Sequence, residues 1–188
     1  MNLRVLSAAV LALGFIGAGA ANAQQQPSAS PAPAPAPGPA ASPLDNVPEK
    51  MPFNVPYGAP IALAKAQAAI QAAVAEAGKH DWPLNVAVVD SGGNLVAFAR
   101  MDGAQLGSIA ISEHKARAAA KYRRPTHAFE DAMQKGYVYV GTLDDVIASR
   151  GGIPLVEDGK LIGAIGCSGA TGSQDEVVCT AGAATINK

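Results

Sequence analysis

A run in which proline and alanine alternate, from position 31 to position 37, most limits where this chain of 188 residues can fold. The surrounding residues 24–56 are rich in Pro, Ser and Ala and hold few large apolar side chains. Such a segment buries too little apolar surface to offset its ordering entropy, and repeated proline holds it near polyproline II. We therefore expect a disordered tether over residues 24–56. A proline-rich recognition motif is the alternative, but no aromatic or basic specificity residue lies within the Pro/Ala run.

Residues 1–23 have the pattern of a secretory signal peptide. Arg4 precedes an apolar run, and Ala21 and Ala23 form a small-x-small cleavage site. A membrane anchor is the alternative, but a stop-transfer helix would have basic flanks. No twin arginine precedes the apolar run and no cysteine directly follows it, which favours Sec export over Tat export or lipid anchoring. We expect cleavage after Ala23 and a periplasmic or secreted product without a membrane span.

Residues 57–188 are enough for one domain with a single core. The whole chain has 14 basic and 15 acidic residues, and loss of Arg4 with the signal peptide leaves 13 against 15, a formal charge of −2. No block of basic residues stands out beyond Arg123 and Arg124. Because nucleic-acid binding requires a basic face, this charge pattern argues against that class of function.

The two cysteines, Cys167 and Cys179, fall on a predicted strand and within a predicted helix. A compartment outside the cytoplasm permits a disulfide, but the sequence leaves open whether the two thiols meet or are buried separately. Their spacing lacks a C-x-x-C motif, so it gives no support for a zinc site.

The first half of the domain predicts a helix followed by a hairpin. Apolar residues recur at three- and four-residue steps and indicate an amphipathic helix from about Pro60 to Gly78. Residues 84–89 and 95–101 are apolar runs separated by a Ser-Gly-Gly-Asn turn, which is typical of a β-hairpin. Since residues 86–89 show no alternation, the first strand is predicted to be central and covered on both faces.

The second half predicts further helices around a second hairpin. A helix is expected over residues 107–122, then a short helix capped by Thr126, and a further helical turn over residues 143–149, with residues 137–140 as a strand or a loop. Asp158 and Gly159 favour a type I′ turn between two strands, and Ser173 with Glu176 has capping-box spacing before a terminal helix. The order predicts an α+β fold, an antiparallel sheet of four or five strands with helices on its faces.

A series of short motifs occurs in order along residues 58–187: Met101-Asp-Gly-Ala104, Lys115-Ala-Arg117, Arg124-Pro-Thr126, Gly151-Gly-Ile-Pro154, Asp158-Gly-Lys160, Gly163-Ala-Ile-Gly166, Ser168-Gly-Ala-Thr171 and Gln174-Asp-Glu176. In these motifs the chain resembles the GlcG/HbpS-type haem-binding family. The resemblance implies a profilin-like α/β/α fold, frequent assembly into homo-oligomers, and binding of haem, with haem degradation in some members. Related domains also occur beside corrinoid adenosyltransferases.

The side chains that could ligate iron are His80, His114, His127, Met101, Tyr122, Tyr137 and Tyr139. His114 is the best candidate, because Arg117 and Lys121 follow within two turns of the same helix and could pair with haem propionates. The resemblance itself assigns no iron ligand. The alternative is that these side chains, with Glu113, form only a solvated charged helix face. His80 is interpreted as a structural residue near a helix end, and His127 as an exposed one.

No general acid/base pair can be named, because the paired acidic residues are adjacent in sequence and point apart on a helix. The Gly-rich residues 168–172 open a helix, so their amides could hold an anionic group. The family resemblance and the signal-peptide pattern together make the leading interpretation an exported haem-binding protein for sequestration, sensing or slow degradation rather than a fast enzyme. One alternative is an enzyme or binding module for a small organic acid or a corrinoid. Another is a tethered module that binds a membrane sensor in the cell envelope.

Overall fold

A computed structural model describes residues 47–187 of the chain. The predicted signal peptide and residues 24–46 of the predicted tether lie outside these described residues. Within the part that the structure describes, no helix has the length and apolar character needed to cross a bilayer.

Two β-hairpins form one antiparallel sheet by pairing one strand of each. The strands are β1 (Asn85–Asp90), β2 (Leu95–Arg100), β3 (Gly152–Glu157) and β4 (Lys160–Ser168), in the spatial order β2-β1-β4-β3. All three pairings are antiparallel. β1 is central and buried along all but its last residue, as the absence of alternation predicted. The predicted antiparallel α+β fold is thereby confirmed.

Helices cover both faces of the sheet, which gives an α/β/α arrangement. They are α1 (Leu63–Gly78), α2 (Ser108–Tyr122), α3 (His127–Gln134) and α4 (Gly172–Ala183). The larger core lies between the sheet and the pair α1 and α4, where small alanines and Val178 pack against strand side chains. A second core lies between the sheet and α2, and its helical side chains are all alanines: Ala116, Ala119 and Ala120.

Small residues let α2 approach the sheet at backbone distance. A Cβ atom added to Gly166 would lie 2.1 Å from the Ser112 carbonyl oxygen and 2.5 Å from the Ala116 nitrogen. A Cβ atom on Gly152 would lie 2.3 Å from the Lys115 carbonyl oxygen. The glycines of β3 and β4 therefore fix how deep α2 sits on the sheet.

A disulfide joins the sheet to the last helix. Cys167 of β4 and Cys179 of α4 are bonded, their Cα atoms are 5.6 Å apart, and both residues are fully buried. The question that the sequence left open is therefore answered in favour of a bridge.

The connection between α2 and β3 differs from its prediction. The Thr126 hydroxyl makes no cap contact with α3 and instead accepts a hydrogen bond of 2.9 Å from the Gly152 amide. A 3₁₀ helix, Val138–Thr142, occupies the place where a strand or a loop was expected. The helical turn predicted over residues 143–149 is absent, and those residues form turns and bends.

The cap of α4 lies two residues earlier than predicted. The Thr171 hydroxyl accepts from the Gln174 amide, and the Gln174 side chain accepts from the Thr171 amide at 3.0 Å. The capping box predicted for Ser173 and Glu176 is therefore wrong. Both pairs fit the same four-residue template, but the Glu176 carboxylate is used in contacts with other elements.

The segment just before α1 lies against the domain. The Arg124 guanidinium carbon is 3.6 Å from the ring centroid of Phe53 and 5.5 Å from that of Phe129. The Tyr57 hydroxyl donates a hydrogen bond of 2.6 Å to the Lys121 carbonyl oxygen. The last residues of the predicted tether are thus attached beside the C-terminal end of α2.

The close approach of α2 to β4 predicts that Gly166→Ala destabilises the fold. The added methyl group must push the α2 backbone off the sheet, and we expect a loss of about 1–3 kcal/mol in the free energy of unfolding. Gly78→Ala is the matched control, because no atom lies within 4 Å of its added Cβ, and it should change stability by less than about 1 kcal/mol. Urea unfolding followed by circular dichroism measures both, and equal stabilities would contradict the packing described.

Candidate functional site

Helix α2 carries the three side chains that the sequence predicted as a ligand set. His114 is exposed, Arg117 is partly exposed, and Lys121 is exposed at the last turn. Arg117 Nη1 lies 3.4 Å from Glu113 Oε2, so these two side chains form an ion pair on the same helix face.

Two of these three side chains contact one carboxylate. Lys121 donates a hydrogen bond to Asp145, and Arg117 Nε lies 3.9 Å from Asp145 Oδ1. The hydrogen bond and charge of Lys121 lower the pKa of Asp145, and the charges of Arg117 and His114 lower it further. The structure therefore directs Arg117 and Lys121 at a carboxylate of the same chain. Their role in ligand binding stays a prediction.

A buried ion pair joins α2 to α4. Lys115 Nζ is 2.7 Å from Asp175 Oδ2 and donates a second hydrogen bond, of 3.2 Å, to the Cys167 carbonyl oxygen. The Lys115 and Asp175 side chains are 1% and 3% exposed. Burial raises the pKa of the Asp175 carboxyl, and Lys115 together with the Ala170 and Gly169 amides opposes that rise. The pair ties α2, β4 and α4 to one another.

The Gly-rich segment before α4 holds a carboxylate of the chain itself. The Ala170 amide donates to Asp175 Oδ1 at 3.1 Å, and the Thr171 amide donates to the Gln174 side chain. Two of the amides that the sequence offered to an anionic ligand, those of Ala170 and Thr171, are therefore already hydrogen-bonded within the chain.

A cluster of charged side chains between α3 and α4 was not found by sequence reasoning. His127 Nδ1 lies 2.7 Å from Glu176 Oε1, and Arg150 Nη1 lies 3.4 Å from Glu176 Oε2. Arg150 Nε is 2.9 Å from Glu130 Oε1. Although burial alone would raise the pKa of the Glu130 carboxyl, the Arg150 amide and guanidinium lower it. The carboxylate of Glu176 is thus held from both sides, by an imidazole and a guanidinium.

Two surface cavities meet at the His127 side chain, which is 43% exposed. One has a volume of about 370 Å³ and is walled mainly by Pro125, Ile153, Ala183 and Ala184. The other has a volume of about 380 Å³, and Phe53, Lys135 and Tyr137 contribute to its wall. Among residues 47–187, His127 Nε2 has no hydrogen-bond partner. The imidazole therefore combines a fixed Nδ1 with an open Nε2 next to apolar surface.

Most of the folded domain matches one known protein family. A model of the family described as haem-degrading protein HbpS-like matches residues 61–184. The chain belongs to the HbpS-like family. The resemblance that the ordered sequence motifs indicated is therefore confirmed.

Individual HbpS-like relatives agree with this assignment. Protein GlcG of Escherichia coli is 42% identical over 93 residues, which is 50% of this chain and 69% of GlcG. The crystal structure of a double mutant of Streptomyces reticuli HbpS has a TM-score of 0.65 and 30% identity, covering 80% of this chain and 100% of that chain. The crystal structure of a complex of PduOC with haem has a TM-score of 0.62 and 30% identity, covering 68% of this chain and 96% of that chain.

The buried ion pair predicts that replacing one partner lowers the free energy of unfolding more than replacing both partners does. Lys115→Met leaves the Asp175 carboxylate buried without a counter-charge and should cost about 3–5 kcal/mol of unfolding free energy. Adding Asp175→Asn removes that lone charge and should recover part of the loss. Guanidinium unfolding of the variants measures these differences.

The exposed pair of Lys65 and Glu157 supplies the control. Lys65→Met removes a surface interaction and should cost less than about 1 kcal/mol. If Lys115→Met costs no more than Lys65→Met, the buried pair does not hold the three elements together.

Proposed function

We propose that this HbpS-like protein binds haem. The observation that carries the proposal is the PduOC structure, which is a complex with haem and is 30% identical to this chain over 68% of its length. The family description, haem-degrading protein HbpS-like, supports the same ligand. We infer sequestration, sensing or slow degradation of haem as the role, consistent with the resemblance found in the sequence.

The side chains of the described residues fit this ligand. Haem presents iron already held by four macrocycle nitrogens, so a single imidazole is sufficient as a protein ligand. The macrocycle faces are apolar and the two propionates are anionic, which calls for an apolar wall and nearby cations. An exposed histidine, His114, lies on the same helix as Arg117 and Lys121. A partly exposed one, His127, lines a cavity together with Lys135.

The set on α2 is the prediction that the sequence makes for the haem contact. In it, His114 would hold the iron while Arg117 and Lys121 pair with propionates. Propionate binding there requires Arg117 and Lys121 to exchange Asp145 for the ligand, because both now contact that carboxylate. When bound, haem would supply a redox-active iron; the protein side chains bind and orient it.

The partners proposed from the sequence are a second copy of the chain and an envelope sensor. β2 is an edge strand of the sheet, and Leu95 and Phe98 on it are exposed. Unpaired strand edges with apolar side chains favour pairing with another chain, which supports a homo-oligomer. The predicted tether would leave the domain free to reach a membrane sensor.

The haem proposal predicts a shift of the Soret band when the purified protein is titrated with haemin. An axial protein ligand and an apolar wall change the iron environment relative to haemin in buffer. Absorbance spectroscopy measures the shift and the affinity, and the same titration with protein unfolded in guanidinium chloride is the control. A free-haemin spectrum throughout the titration of the folded protein would overturn the proposal.

We also propose export, with cleavage after Ala23, on the basis of the signal-peptide pattern. Expression of the full chain in a bacterium should give a periplasmic or secreted protein whose first residue is Gln24, as determined by intact mass. Ala23→Arg is the matched control, because a long charged side chain replaces the small one that cleavage needs. An uncleaved wild-type chain in the cytoplasm contradicts this proposal.

A further inference from the structure

Glu176 holds the imidazole of His127 in the manner of a supported metal ligand. The contact from His127 Nδ1 to Glu176 Oε1 is 2.7 Å, and Arg150 fixes the other carboxylate oxygen at 3.4 Å. Histidines that bind metals usually donate their second ring N–H to a carboxylate, which fixes the tautomer and makes the ligating nitrogen more basic. With the proton on Nδ1, the lone pair of Nε2 is available.

The backbone at His127 is fixed as well. The Thr126 amide donates to the Gly152 carbonyl oxygen at 2.9 Å, and the Gly152 amide donates back to the Thr126 hydroxyl at 2.9 Å. Thr126 is fully buried, and His127 is the first residue of α3. Because ring and backbone are both held, the imidazole can accept a ligand with little reordering.

The surfaces beside His127 match the parts of a haem molecule. On one side, the cavity walled by Pro125, Ile153 and Ala183 presents apolar surface to a macrocycle. On the other side, Phe53 and Tyr137 add aromatic wall, and Lys135 can meet a propionate. The carboxylate of Asp131 also lines this cavity, and it lies 3.8 Å from the Arg150 guanidinium. Lys135 pairs with no carboxylate within the described residues 47–187, so this cation is available to a ligand.

The surroundings of His114 differ in each of these respects. Its neighbours Arg117 and Lys121 contact Asp145, and no carboxylate within the described part of the chain is hydrogen-bonded to the His114 ring. The two cavities at His127 do not extend to His114. The structural support for an iron ligand is therefore stronger at His127, although the sequence favoured His114.

We propose that His127 Nε2 ligates the haem iron and that Glu176 is the positioning residue behind it. This inference rests on the haem binding proposed above and names the site at which it occurs. Pro125, Ile153 and Ala183 would contact the macrocycle, and Lys135 would pair with a propionate.

Haemin titration of the full chain and of His127→Ala tests the ligand, and His114→Ala tests the competing set on α2. His127→Ala should weaken haemin binding by at least about tenfold and change the Soret spectrum. His80→Ala is the control, because His80 lines neither cavity at His127, and it should leave affinity and spectrum unchanged. Added imidazole should restore the wild-type spectrum of His127→Ala, which a merely structural loss would not allow. Circular dichroism checks that all variants are folded.

Glu176→Gln tests the positioning role through the iron rather than through stability. An amide is a weaker acceptor than a carboxylate, so the imidazole becomes less electron-donating and the ferric state is stabilised less. Spectroelectrochemistry of the haem-loaded variant should therefore show a higher midpoint potential than the wild type, with binding retained. An unchanged potential removes Glu176 from the proposal.

The outcomes separate the inference from the function on which it rests. If His127→Ala binds haemin as the wild type does, His127 is not the ligand, and haem binding itself still stands. If only His114→Ala loses the Soret spectrum of the bound haem, the set on α2 holds the iron instead of His127. Absence of binding by the wild-type protein overturns both the function and the site.

Discussion

The buried contact between Lys115 and Asp175 is the constraint on which much of this structure depends. The two residues come from helices on opposite faces of the sheet, and the Lys115 ammonium group also donates a hydrogen bond to the Cys167 carbonyl oxygen of β4. A charge taken from water is costly unless a partner and hydrogen bonds compensate it, so the three elements hold one relative position. Glu176 follows Asp175 directly in α4, and its place opposite His127 is set by the same contact.

Small side chains allow these elements to come so close. The core face of α2 is made of alanines, and the strands beneath it carry glycine where the helix backbone approaches most closely. Dispersion attraction is lost quickly when a gap opens, so a close backbone approach compensates for the small apolar area of each alanine. The disulfide between Cys167 and Cys179 adds a covalent link on the other face of the sheet.

The sequence predicted the parts of the fold that local chemistry determines. Turn residues located both hairpins, for instance Asp158 and Gly159, which both take positive φ angles of 48° and 71° in the structure. Periodicity located α1 and α2. The short helix after Thr126 was predicted correctly, but its cap was not, because the Thr126 hydroxyl bonds to a strand 26 residues away. The cap of α4 was misplaced because two pairs fit one template and distant partners of Glu176 decide between them.

The candidate site was predictable only in part, for the same reason. Helical spacing alone placed His114, Arg117 and Lys121 on one surface, and in the structure Arg117 and Lys121 contact Asp145. The contact between His127 and Glu176 joins residues 49 positions apart, and no local pattern indicates it. Burial of Lys115 was equally invisible, since a lysine on an amphipathic helix is normally exposed.

The stacking of Phe53 on Arg124 means that proteolysis before the domain can change a cavity within it. Phe53 belongs to the stretch that precedes the folded domain, yet its ring forms part of the wall of a cavity at His127. Removal of the chain up to and including Phe53 would take away that wall, although every described helix and strand lies after the cut. The shortened chain and the longer chain therefore present different surfaces at His127.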